Sequence, residues 1–144
     1  MNKMNENVEE AAKKDILEDI DLVNETILSI IIFFPAVILT LLSSLQTRTI
    51  LENSLNGINI DFNPRPIELL IKANEFILVA LIIAADVAFK RYNKKKSQNL
   101  RSEELEPYRI FAIVALIRVI LAARTLYATI EVSKMSGIQI VQPL

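Results

Sequence analysis

Apolar residues collect along this chain in three long runs, separated by stretches where charge, proline and asparagine dominate. The first run is the clearest. From Thr26 to Thr47 no residue is charged, and Ile27 to Leu45 reads ILSIIIFFPAVILTLLSSL. At 1.5 Å of rise per residue such a helix covers roughly the 30 Å of a hydrocarbon core. Pro35 lies inside it and cannot donate to the carbonyl of Ile31, so a kink is expected there.

The second run, about 67–89, carries Glu68, Lys72, Glu75 and Asp86. At 100° per residue these four fall within an arc of roughly 60°. One polar stripe on an apolar rod belongs to a helix whose charged side faces protein or a wet cavity. The opposite side holds Ala80, Ala84 and Ala88, a small-residue ladder suited to close helix contact. The third run, about 109–130, contains Arg118 and Arg124. The pattern thus predicts an all-α membrane protein with three transmembrane helices, at about 27–47, 67–89 and 109–130. A soluble helical bundle is the competing fold; the uncharged first run speaks against it.

Before the first run, Met4, Val8, Ala12, Ile16, Ile20 and Val23 recur at helical spacing. An amphipathic acidic helix is predicted for 1–26. Its polar side has Glu6, Glu9, Glu10, Asp15, Glu18, Asp19, Asp21 and Glu25 against only Lys3, Lys13 and Lys14. That is the wrong sign for lying on anionic lipid, so the arm is expected to dock on protein. One internal partner is available: Lys90, Arg91, Lys94, Lys95, Lys96 and Arg101, a basic loop after the second run. Such a cluster could meet nucleic acid, but directly after a spanning helix it follows the positive-inside rule. The basic loop and the N-terminus are therefore expected in the cytoplasm and the C-terminus outside. Three units follow: an arm (1–26), a transmembrane bundle (27–130) and an external tail (131–144). The first 25 residues, polar and acidic, do not read as a cleavable signal peptide.

Between the first two runs, Asn56-Gly57 predicts a left-handed helix stop and Pro66 a helix start. Ser102, Glu103 and Glu104 predict the third helix start, with Pro107 in its first turn. Alternation at Ile58, Ile60 and Phe62, and again at Ile138, Ile140 and Leu144, suggests a small outer ribbon.

An arginine at the centre of a spanning helix costs about 2.5–3.5 kcal/mol, so Arg118 and Arg124 call for partners. If Phe89 and Arg109 mark one membrane level, Glu75 lies beside Arg124, and Asp86 within reach of Arg118. Two intramembrane ion pairs are expected, Glu75–Arg124 and the looser Asp86–Arg118. Arg118 is the less well matched and the candidate contact for a partner or a pathway.

Composition narrows the chemistry. The apolar share is 52 % and the mean hydropathy +0.37, with two glycines, no cysteine and no histidine. Thiol and imidazole chemistry and the usual structural metal sites are gone together. Glu75 and Asp86 stand about 16 Å apart on one helix, too far to share a substrate atom. No enzyme, metal or cofactor is expected, and no nucleic acid. The functional expectation is an accessory or structural subunit of a larger membrane protein complex, with the lipid bilayer and other membrane subunits as partners. The alternative is a small homo-oligomeric channel or ion-coupled transporter working through the intramembrane arginines and carboxylates.

Overall fold

A computed structural model describes the backbone of residues 2–139 and the side chains of 8–135. Three helices account for nearly all of it: α1 (Asn2–Leu55), α2 (Pro66–Ser97) and α3 (Ser102–Gln139). The predicted arm is not a separate element, because α1 runs from it through the first apolar run and through Pro35 without a break. Thr26, between Glu25 and Ile27, donates back to Leu22 O instead of capping a new helix, and good helix formers fill the arm, so nothing interrupts the hydrogen-bond ladder.

The ends of α1 and α2 follow the sequence signals. Gly57 has φ +72, and Ile58 N–H donates to Asn53 O while Gly57 N–H donates to Ser54 O. Those are the two crossed bonds of a Schellman stop. Pro66 occupies the first position of α2. The starts of α2 and α3 share one device. The Glu68 carboxylate accepts from the Arg65 backbone N–H and from its guanidinium; Glu104 does both for Arg101. Each glutamate thus satisfies an end-of-helix donor and holds an arginine. Pro107 lies in the second turn of α3 rather than the first, since α3 opens at Ser102. Ile138 is helical, not extended, and residues 58–62 form no strand; Ile140 and Leu144 lie outside the described residues.

α2 is the centre of the molecule. It packs on α1 along one side and on α3 along another, while α1 and α3 do not pack together among the described residues. The α1–α2 seam repeats every seven residues. Asp15 pairs with Lys94, Ser29 Oγ donates to Ala80 O at 2.9 Å, and Ser43 Oγ donates to Pro66 O at 2.8 Å. Leu22 with Val87 and Ala36 with Ala73 fall at the intervening levels of the same register, and all four are buried. Alanine and serine at these levels let the backbones come close enough for a hydroxyl to use the second lone pair of a helical carbonyl.

The α2–α3 seam has the same repeat. Asn74 Nδ2 donates to Thr129 Oγ1 at 3.0 Å, and the Lys95 ammonium sits 5.9 Å from the centre of the Tyr108 ring. Between these, Leu81 is level with Ala122, and Ala88 with Ala115. A sustained seven-residue repeat is the geometry of long, nearly aligned helices. Along α2, consecutive residues are divided between the neighbours: Ala73, Ala80, Val87 and Lys94 serve α1, and Asn74, Leu81, Ala88 and Lys95 serve α3.

The buried apolar set is small-sided. Ala36, Ala73, Ala80, Ala85, Ala112 and Ala122 are joined only by Leu22, Leu69 and Val87 among the described residues. Large side chains such as Ile30, Ile31, Phe34, Leu41, Phe111 and Leu121 are exposed. α1 and α3 are long and apolar enough to cross a membrane; α2, with its charges, is not marked out in this way.

Candidate functional site

The charges expected to pair across α2 and α3 do not. Glu75 binds Lys72 at 2.7 Å, one turn away on α2, and Asp86 binds Lys90 at 2.7 Å. Both lysines were visible in sequence, and both stand at helix-neighbour spacing. Register and rotation explain the outcome. The observed α2–α3 register is displaced by roughly five residues, about 7–8 Å, from the one that sets Phe89 level with Arg109. Glu75 is then level with Ala128. Arg124 stands two residues from the seam residue Ala122, about 200° round the helix, and therefore points away from α2. Asp86 is close in height to Arg118, but it precedes Val87, which faces α1, and so lies on the flank of α2 remote from α3.

Two surfaces result. On the outer side of α3, Arg124 lies in a shallow depression with Val119, Ile120, Ala123 and Tyr127. No carboxylate meets it among the described residues. Between α1 and α3, over the surface of α2, runs a groove of about 580 Å³. Leu81, Ala84, Ala88 and Arg91 form its floor, Thr26, Ser29 and Ile30 one wall, and Tyr108, Phe111, Val114 and Arg118 the other. Ala84 and Ala88, part of the alanine ladder, thus line an open groove, while Ala80 is buried in the α1–α2 seam. Among the described residues Arg118 has no ion pair, and Arg91 donates a hydrogen bond to Thr26 Oγ1 at 3.4 Å while its charge is felt by Asp19 of the arm.

The acidic arm finds its partner inside the chain. Lys94 is bound by Asp15 and Asp19, each at 2.7 Å, and its side chain is only 11 % exposed. Lys90 bridges Glu25 and Asp86, again at 2.7 Å to each. Donating hydrogen bonds to the Asp15 and Asp19 carboxylates raises the pKa of Lys94 above its ordinary value, and accepting one from Lys94 lowers that of Asp19. Of the basic loop, Lys90, Arg91, Lys94, Lys95 and Lys96 belong to the helical end of α2, and Arg101 to the start of α3. Lys95 covers Tyr108.

Threonine hydroxyls in the apolar runs are satisfied locally, unlike those of Ser29 and Ser43. Thr26, Thr40, Thr47 and Thr125 donate to the carbonyl four residues back, as does Thr129 while it accepts from Asn74. The Asn74–Thr129 bond escaped the reading of the sequence; a lone asparagine inside an apolar run was its signal. Among the described residues no three acidic side chains gather as a metal site. No family model, curated protein or solved structure matches this chain.

Proposed function

We propose that this chain is a multi-pass integral membrane protein, a structural or accessory subunit whose exposed helical faces dock other membrane helices. The observation that carries the reading is the inside-out distribution of side chains. Alanine and serine fill the seams, while isoleucine, leucine and phenylalanine cover the outside. In water that arrangement leaves a large apolar surface uncovered; in lipid, where association depends on close packing and hydrogen bonds, it is the expected one. α1 and α3 are long and apolar enough to span, and α2 would be carried between them with Glu75 and Asp86 paired to lysines along its own length. The basic end of α2 supports a cytoplasmic N-terminus and an external C-terminus.

Arg124 supports the subunit reading. By the α2–α3 register it is level with Val79, far from both ends of α2, and it faces outward from the three helices. A carboxylate on a partner helix would satisfy it. A channel or carrier, the other function considered, draws less support, because Glu75 and Asp86 are already held by lysines.

The test uses the absence of cysteine in the chain. Ser97→Cys and Asn59→Cys variants should react with an impermeant maleimide from opposite sides of native membranes. The parent protein should resist alkaline extraction and co-purify with other chains at fixed stoichiometry. Arg124→Leu should release those chains while leaving the protein in the membrane. Recovery as a soluble monomer after alkaline extraction would sink the membrane reading; an inert monomer in detergent would sink the subunit reading.

A further inference from the structure

The groove between α1 and α3 has an electrostatic direction that packing does not explain. Its floor on α2 extends from Leu81 to Arg91, about three turns. Helical side chains lean toward the N-terminus of their own helix. α2 and α3 are antiparallel, so Arg91 leans down into the groove and Arg118 leans up toward the same end. The Arg91–Thr26 hydrogen bond shows that lean directly, because Thr26 lies about two turns deeper than Arg91 in the α1–α2 register. Two cations without ion pairs therefore converge over an apolar floor, beside the end of α2 that carries Lys90, Lys94 and Lys95.

We propose that this groove binds an acidic phospholipid, its phosphate held between Arg91 and Arg118 and one acyl chain lying along Leu81 and Ile30. Basic pockets between membrane helices on the cytoplasmic side suit such headgroups. A volume of about 580 Å³ falls in the range of small-ligand sites, about 300–1,000 Å³. Three turns are too short to seat a spanning helix of about 20 residues, so lipid fits better than a partner helix. The proposal rests on the membrane reading above.

Native mass spectrometry of the detergent-solubilised protein, with phosphatidylglycerol or phosphatidylcholine of matched chains, tests it. One phosphatidylglycerol should be retained with a preference of about tenfold or more, because its headgroup keeps a net negative charge for the two arginines whereas the choline of phosphatidylcholine cancels it and repels them. The Arg91→Gln/Arg118→Gln variant, checked for helix content by circular dichroism, should lose that preference. A bimane label at Phe111→Cys should be quenched more by brominated phosphatidylglycerol than by brominated phosphatidylcholine. Equal retention of both lipids overturns the proposal. So does a preference that survives the double variant, which would move the binding to the remaining basic residues. A co-purified polypeptide that shields the label overturns it in favour of a protein occupant. Failure of the parent protein to associate with mixed phosphatidylglycerol–phosphatidylcholine vesicles would instead strike the membrane reading itself.

Discussion

Ala73 is fully buried and Ala36, level with it on α1, is 1 % exposed. Nothing larger fits between two helices at that separation without forcing them apart. Ala73→Leu is expected to destabilise the α1–α2 pair by about 1–3 kcal/mol through overpacking, read as a lowered thermal midpoint in detergent. Leu41→Ala, on an exposed outer position, should change the midpoint little, within about 0.5 kcal/mol. A contrast in the opposite sense would show that the seam is misplaced. At this scale the sequence spoke partially. It marked Pro66, Gly57 and the alanine ladder, and it marked Arg118 and Arg124 as cations in need of partners. It could not assign those partners, because an ion pair depends on rotation about both helices as well as on height. Lysine neighbours one turn away were the stronger attraction.

At the scale of the element, the main departure is α1. The change of composition at Glu25–Ile27 reads as a boundary, yet a helix breaks only where its hydrogen bonds are interrupted, and nothing there interrupts them. The acidic face of the arm is explained by the basic end of α2. Its contacts have a defined pH window. Asp19 is lowered, so its contribution is full above its unfolded pKa, near 3.8, and is lost as pH falls through the lowered value. Lys94 is raised, so its contribution is full below about 10.5 and is lost as pH climbs through the raised value. Amide exchange in α1 from Asp15 to Glu25, taken relative to the intrinsic rate at each pH, should be slow between those limits and quicken outside them. Lys94→Gln should quicken it at neutral pH. An arm equally protected in that variant would show that the pairing is incidental.

For the whole molecule, three helices and their order were legible from hydropathy and the spacing of prolines. Their relative heights were not. Through the two seams, Ser29 of α1 is level with Ala80 and hence, within a residue, with Ala122 of α3. The apolar runs of α1 and α3 are thereby staggered by roughly eleven residues, about 16 Å. In the proposed membrane, one slab of about 30 Å centred near Val79 would cover roughly 21–41 of α1, 68–88 of α2 and 115–135 of α3. The three spans expected at 27–47, 67–89 and 109–130 are therefore not level with one another. Asp21 and Glu25 come to one boundary, Glu131 and Lys134 to the other. The groove opens where Tyr108 and Phe111 reach the cytoplasmic interface.

The alternation of neighbours along α2 makes that helix the molecule's only ruler. Because adjacent residues report to different partners, a slip in α2 cannot be absorbed by one interface while the other holds. One residue inserted after Phe76 would turn the rest of α2 by about 100° and shift it by 1.5 Å, detaching α1 and α3 together. Seven inserted residues would bring the faces back into phase. Limited proteolysis should find the first variant open and the second closed, although the second is the larger lesion. An insertion in α1 beyond Ser43, by contrast, falls past the last shared level and leaves the ruler unread. Length changes within the two seams should therefore be tolerated by their remainder on division by seven, not by their size.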